Sequence, residues 1–264
     1  MDFGIAGKVA LVSGGSKGIG RAISEDLGRE GCRVVVTARG REAVDSTVAA
    51  IRDSGGEAHG VLGDFTDKEQ IERIVAEARD VFGPIEIAVF NVYGPNDGWF
   101  EQTTDSGFIK AYNDMVMALV WMTRAVIPDM KAAGWGRLVT IGSICAKEPH
   151  RDLPLVSANV TRVGAVALNK SLSAELGPHG ITVNTLATGG FMTDRYRSYM
   201  EKIAVERGEV FDETTAARRE DIPVGRLGRP EEMAAVATFL CSERGSYVTG
   251  QMIVVDGGRL ETLW

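Results

Sequence analysis

The sequence predicts an α/β fold: a single doubly wound domain over residues 1–264, its seven-stranded parallel sheet covered by helices on both faces. Three observations predict it. Short apolar runs alternate with amphipathic stretches along the whole chain, the pattern of repeated β-α units. A glycine turn, Ser13-Gly14-Gly15-Ser16-Lys17-Gly18-Ile19-Gly20, lies between the first apolar run and the first amphipathic stretch. No linker, repeat or low-complexity tract interrupts the 264 residues, a length that suits one large domain with a sizeable core.

Taken in order, Val9-Ala10-Leu11-Val12 reads as the first strand, and Arg21 to Leu27 continues a helix opened by the glycine turn. Arg33 to Thr37 is a second strand, apolar enough to be buried on both faces. Arg41 to Ser54 is helical and stops at Gly55-Gly56. Glu57 to Leu62 is a short third strand. Lys68 to Phe82 is a helix with Ile71, Ile74, Val75 and Ala78 on one face and Gly83-Pro84 as its stop. Ile85 to Phe90 is the fourth strand. Asp105 to Ala133 reads as one long helix whose stripe runs Met115, Leu119, Met122, Val126, Met130; these methionines read as packing. Arg137 to Ile141 is the fifth strand, Leu155 to Leu176 a helix, Thr182 to Leu186 the sixth strand. Glu231 to Cys241 is a helix, and Met252 to Val255 the seventh strand. One stretch breaks the rhythm: residues 190–221 are polar, with Met, Tyr and Arg interleaved, and read as a substrate lid beyond the carboxyl ends of the strands.

A net charge of −7 argues against nucleic-acid and anionic-membrane partners. No apolar run is long enough to span a bilayer, and Met1-Asp2-Phe3-Gly4 does not begin a signal peptide. Cys32, Cys145 and Cys241 are scattered, as expected in a reducing cytoplasm. Neither they nor His59, His150 and His179 have metal-ligand spacing, so no metal is expected.

A strand, a glycine turn and a helix N-terminus make an anion site, because first-turn N–H groups lack partners within the helix and the dipole is positive there. Gly14 permits the sharp turn, Gly18 a close backbone approach to a pyrophosphate, and Gly20 close helix–strand packing. The second strand ends Thr37-Ala38-Arg39. A carboxylate there would hold a ribose 2′-hydroxyl; instead Arg39 can fork onto a 2′-phosphate, with Lys17 adding a second charge. This favours NADP(H) over NAD(H).

The spacing Gly14, Gly18, Gly20 resembles that of the short-chain dehydrogenase/reductase family, and the resemblance runs through essentially the whole chain. Asp64, with Phe65 beside it, stands where that family contacts adenine. Asn91 matches the second Asn of the family's Asn-Asn-Ala-Gly turn. Gly142-Ser143 stands where the family keeps its catalytic serine. Asn184 and Thr188-Gly189-Gly190-Phe191-Met192-Thr193 are similar to the segment that holds the nicotinamide amide. Pro223 to Glu232 and Val248-Thr249-Gly250-Gln251 with Asp256-Gly257-Gly258 resemble bacterial 3-oxoacyl reductases. The resemblance implies a Rossmann-type domain. It also implies cofactor contacts at Gly14, Ser16, Lys17, Gly18, Ile19, Gly20, Arg39, Asp64, Phe65, Asn91 and Thr193. Assembly as a dimer or tetramer through helices near 105–133 and 155–176 is implied as well.

The reaction centre departs from the family. Its members use Ser, Tyr and Lys, the last two one helical turn apart so that the lysine lowers the tyrosine pKa. Counting back from Leu168-Asn169-Lys170-Ser171-Leu172 puts that pair at Ala158 and Arg162, and no tyrosine lies between Tyr112 and Tyr196. The relay Asn falls at Met115, with Asn113 on another side of the helix; Thr188 replaces a Pro and Tyr93 a Gly. Ser143 remains as a hydroxyl that orients a substrate carbonyl. Arg162 is an electrostatic stand-in, and Tyr93 either a substitute acid or bulk that shapes the pocket. Lys147, Glu148, His150 and Arg151 crowd the segment after Ser143, while Cys145 reads as packing. The function read from this is an NADP(H)-dependent oxidoreductase acting on a small carbonyl or alcohol with an atypical proton donor. Two alternatives stand beside it: a non-redox lyase, isomerase or cyclase on the same scaffold, and a silent subunit of a hetero-oligomer.

Overall fold

The computed structural model describes residues 2–91, 94, 98–149 and 153–263. Its parallel strands are β1 (Val9–Ser13), β2 (Arg33–Ala38), β3 (Glu57–Leu62), β4 (Ile87–Phe90), β5 (Gly136–Ser143), β6 (Ile181–Thr188) and β7 (Met252–Val255). They lie in the order β3-β2-β1-β4-β5-β6-β7. The order reverses between β1 and β4, the place where an open parallel sheet offers a crevice beyond its strand ends. The helices are α1 (Gly18–Arg29), α2 (Arg41–Asp53), α3 (Lys68–Phe82), α4 (Asp105–Tyr112), α5 (Ala118–Ala133), α6 (Val156–Leu176), α7 (Asp194–Arg207), α8 (Phe211–Glu220) and α9 (Pro230–Cys241).

Alternation along the strands feeds two cores. Ala10 and Val12 face one layer with Ile23 and Leu27 of α1, Val44 and Ile51 of α2, and Met233 and Leu240 of α9. Val9 and Leu11 face the other, with Ile71 and Ile74 of α3, Leu119 and Val126 of α5, and Leu176 of α6. Successive strand side chains point to opposite faces, so a strand covered on both sides must be apolar throughout.

The single helix expected over 105–133 is in fact interrupted. A π-helical turn, Asn113–Met117, separates α4 from α5. The wider turn lets the consecutive Met115 and Val116 both be buried, with Val116 packed on the bare backbone of Gly164 in α6. The expected stripe from Met115 through Met130 is buried as read. Strands β5 and β6 each run further than the apolar runs suggested. Gly136, Gly142, Ser143 and Thr188 lie in the ladder, with Ser143 paired to Thr188.

The 190–221 stretch contains α7 and α8. Met200 and Ile203 form a third, small cluster with Leu153, and Leu155, Tyr196, Tyr199 and Phe211 pack around it. The cluster therefore ties these helices to the segment that leads into α6. Among the described residues no helix is long and apolar enough to cross a membrane.

Cys32 and Cys241 lie fully buried on the α1–α9 side of the sheet. Burial, followed by the nearby Glu30 and Glu86, pushes the Cys32 thiol up to about 12, and burial raises Cys241 as well. Thiols whose folded pKa is raised contribute stability in full below the unfolded value of 9.0 and lose it as pH climbs towards the folded one. The urea midpoint is therefore expected to fall between pH 8 and about pH 10.5, and to fall less in a Cys32→Ala/Cys241→Ala variant. Equal slopes in the two proteins would refute this.

Candidate active site

The loop after β1 is built by glycine and by side chains that hold it from behind. Gly14 and Gly18 have φ of +57° and +52°, where glycine avoids strain. A Cβ on Gly20 would collide with the Gly14 carbonyl oxygen and stand 2.6 Å from Asn91 Nδ2. Asn91 Nδ2 donates to Gly14 O at 3.3 Å, and Asn91 N–H donates to Ser13 Oγ at 2.8 Å. Ser24 Oγ donates to the carbonyls of Gly15 and Gly20, and Thr47 Oγ1 to that of Ser16. The loop carbonyls are thus turned inward. Lys17, the N-cap of α1, supplies no side-chain cap, so the first-turn N–H groups keep their capacity for an anion. The residues present fit the diphosphate of a dinucleotide.

On the β2–β3 side, Ala38 and Leu62 lie opposite each other at the strand ends. The next residues bring Arg39 Nη1 within 3.6 Å of Asp64 Oδ2. Asp64 Oδ1 accepts from Thr66 N–H and Thr66 Oγ1, both at 2.9 Å, which fixes the carboxylate. Arg39 is 71% exposed and free to turn outward, and Lys17 is exposed. Phe65 and Ser16 are buried; Phe65 packs into the core beneath α3, which leaves its backbone rather than its ring for a ligand. Ile19 is packed against the other core.

At the far end of the crevice, Ser143 closes β5, and its Oγ accepts from Cys145 N–H at 3.2 Å. The hydroxyl proton is left to donate. Thr188 Oγ1 donates to Gly142 O at 3.0 Å. Thr193 caps α7 by accepting from Tyr196 N–H at 3.1 Å. Its methyl lies 3.1 Å from where a Gly18 Cβ would be. The start of the 190–221 stretch and the glycine loop, distant in sequence, therefore touch.

Ala158 is buried in the first turn of α6, and Arg162 follows one turn later. Arg162 is pushed down to about 10, by burial first; the neighbouring Cys145 acts the other way, and Arg195 lowers it further. Arg195, at the start of α7, was not picked out in the sequence; its only signal is its place two residues after Thr193. A Cβ on Gly94 would be 3.1 Å from Nη2 of both arginines. Asn159 carries a buried Oδ1 without a hydrogen-bond partner. Met115 is buried and Asn113 exposed, so neither supplies a polar relay from within the helix. Lys147 and Glu148 are exposed and Cys145 is buried. Tyr93, His150 and Arg151 lie outside the described residues. Asn184 serves the fold, donating to Val248 O and accepting from Gln251 N–H. Among the described residues no group of His, Cys, Asp and Glu could hold a metal ion.

The glycine loop and the reversal of strand order belong to a doubly wound α/β fold, and the chain belongs to the short-chain dehydrogenase/reductase family. A family model described as enoyl-(acyl carrier protein) reductase matches residues 14–259. The chain is 36% identical over 255 residues to dehydrogenase/reductase SDR family member 4 of Oryctolagus cuniculus, covering 96% of this chain and 94% of that protein. The structure of L-sorbose reductase from Gluconobacter frateurii, complexed with NADPH and L-sorbose, superposes with a TM-score of 0.93 at 31% identity, covering 100% of both chains. A 7α-hydroxysteroid dehydrogenase complexed with NADH and 7-oxo glycochenodeoxycholic acid superposes with a TM-score of 0.87 at 27% identity, covering 99% of this chain and 98% of that one. The homologues are oxidoreductases.

Proposed function

We propose that the chain is an NADP(H)-dependent oxidoreductase acting on a small carbonyl or alcohol, with a proton donor other than the family's tyrosine. The observation that carries this reading is the glycine cradle held by Asn91, with Arg39 and Lys17 beside it at the β2 end. Gly14 to Gly20 would hold the diphosphate, Asp64 the adenine, and Arg39 the 2′-phosphate, for which it would leave Asp64. Thr193 would face the nicotinamide amide. When bound, the reduced nicotinamide supplies the hydride for the carbonyl carbon. Ser143 donates a hydrogen bond to the substrate oxygen, and Arg162 stabilises the charge that grows there. Water supplies the proton that completes the alcohol. A small molecule and further copies of the chain are the partners; exposed Ile109, Tyr112, Val160 and Val163 on α4 and α6 support a homo-oligomeric dimer or tetramer. Three free cysteines, all buried, suit a cytoplasmic setting.

NADPH is expected to bind more tightly than NADH at physiological salt in a cofactor-fluorescence titration. Arg39→Ala is expected to weaken NADPH roughly tenfold or more, the worth of a charged hydrogen bond, and to leave NADH within about twofold. Equal loss for both cofactors would remove the 2′-phosphate assignment. Stopped-flow absorbance of the NADPH complex mixed with a panel of small ketones and aldehydes tests the chemistry. Tight cofactor binding with no oxidation by any substrate would favour the non-redox reading, which the lack of a tyrosine between Tyr112 and Tyr196 motivates.

A further inference from the structure

We propose that Asn159 accepts a hydrogen bond from a hydroxyl of the substrate, so that the chain takes hydroxy ketones and the matching diols. The inference rests on the oxidoreductase reading for a carbonyl at Ser143. Its own basis is a buried acceptor left open in the first turn of α6. Asn159 Oδ1 is buried and, among the described residues, meets no donor. Folded chains rarely leave a buried acceptor in that state, because it has lost water and found no replacement. A ligand that brings a donor supplies one.

Two neighbours on α6 show where this side chain looks. Leu155, one turn earlier, accepts from Asn159 N–H at 2.9 Å. Its side chain packs against the cluster that Leu153 forms with Met200 and Ile203 of α7. Arg162, three residues later, reaches the same helix: its Nη2 and that of Arg195, at the start of α7, both lie 3.1 Å from a Cβ built on Gly94. Residues three and four apart share a helix flank. Asn159 therefore lies on the flank of α6 that faces α7. That boundary begins at the glycine loop, where Thr193 touches Gly18. It ends at Met200 and Ile203, about two turns further along α7.

The ligand's chemistry follows from Asn159 and Arg162 side by side. An amide oxygen accepts, and a guanidinium only donates. A group that meets both must donate and accept at once, and a hydroxyl does. An ammonium cannot accept and is repelled by the Arg162 charge; a carboxylate or an ether cannot donate. Arg162 neighbours Cys145, two residues beyond Ser143. The hydroxyl therefore belongs one or two carbons from a carbonyl held at that serine. A ribose hydroxyl of the cofactor has the same chemistry and is the rival donor, because the start of α7 touches the glycine loop.

The test is a saturation-transfer NMR titration of the full chain, with saturating NADP⁺ and again without it. The probes are hydroxyacetone and 4-hydroxybutan-2-one, against butanone and pentan-2-one, in which a methyl replaces the hydroxyl. Methoxyacetone, which accepts but cannot donate, is the third control. The hydroxy ketones are expected to bind at least about fivefold more tightly than their methyl counterparts, and hydroxyacetone more tightly than methoxyacetone by the same factor. Asn159→Leu is expected to remove the preference, and Asn159→Asp, which keeps an acceptor, to retain it. Asn159→Leu is also expected to melt no lower than the parent, since an acceptor without a partner holds nothing together. Asn159→Ala serves the same titrations if the leucine variant does not fold. Hydroxy ketones and controls that bind alike, or a preference that survives both Asn159→Leu and Asn159→Ala, would overturn the proposal. A loss in these variants confined to NADPH affinity would assign the acceptor to the ribose and overturn the substrate hydroxyl. NADPH binding without a hydroxyl preference ends this inference alone. A hydroxyl preference that Asn159→Leu removes, in a chain that binds no NADPH, keeps Asn159 and ends the oxidoreductase reading.

Discussion

Gly20→Ala is expected to abolish NADPH binding and to lower stability at the same time. The Cβ it adds would meet the Gly14 carbonyl oxygen, the Gly14 carbonyl carbon at 2.8 Å and Asn91 Nδ2 at 2.6 Å. Two of these are backbone atoms of the phosphate loop, and the third is the amide that holds the loop in place. None can swing aside as the end of a flexible side chain would. Either α1 moves away from β1, which opens the core at Ile23 and Leu27, or the loop leaves the conformation in which its amides face a diphosphate. Overpacking of this kind costs about 1–3 kcal/mol. For a domain of this size that is a fall in Tm of several degrees, at roughly 2–4 °C per kcal/mol. NADPH affinity is expected to fall by more than about tenfold, because the anion site depends on amides aligned in one conformation. Gly177→Ala is the control: a Cβ there meets nothing within 4 Å, and neither Tm nor NADPH affinity should move. Thermal melts with and without NADPH check both proteins. A Gly20→Ala protein that kept its melting temperature and bound NADPH like the parent would show that the cradle is not what holds the cofactor.

The glycine loop was legible in the sequence because its meaning is local. A strand, a tight turn and a helix start are contiguous, and the side chains that back the loop only refine what the glycines dictate. The strands were legible because burial on both faces forces unbroken apolar runs, as in Val34-Val35-Val36. What failed to show was always set by a neighbour. Gly136, Gly142 and Ser143 carry no strand signal of their own, yet β6 draws them into the ladder. The π-helical turn at Asn113–Met117 leaves the spacing of the apolar stripe readable as a plain helix; it accompanies the packing of Val116 on Gly164 of α6. Phe65 reads as a ligand contact from its place beside Asp64, and only the packing of α3 shows its ring committed to the core. Arg195 is the extreme case. Nothing within its own segment marks it, because Arg162, which it approaches, lies on α6 and their meeting point follows β4.

The second large effect concerns the proposed absence of the family's tyrosine acid. Ala158→Tyr combined with Arg162→Lys is expected to raise NADPH-dependent reduction of simple ketones by roughly 10²–10⁴-fold, the usual worth of a positioned general acid. The two positions are one turn apart on α6, so the new side chains share a face. The cation lowers the phenol pKa by favouring the phenolate. Ser143, at the end of β5, keeps its hydroxyl proton available while its Oγ accepts from Cys145 N–H, and on the proposed reading it donates to the same substrate oxygen. Ala158 is only 6% exposed, so a phenol there must displace packing and is expected to cost about 1–3 kcal/mol. A melting curve and an NADPH titration must therefore accompany the rate. Ala158→Tyr alone should recover part of the gain, since Arg162 remains a cation one turn away. On the proposed reading the parent takes its proton from water, and its rate is then expected to depend little on any single ionisation near neutrality. A double variant that is folded, binds NADPH as the parent does and still reduces no ketone faster would mean that α6 does not present this face to the substrate. The departure at 158 and 162 would then reflect a different site geometry and not the loss of a proton donor.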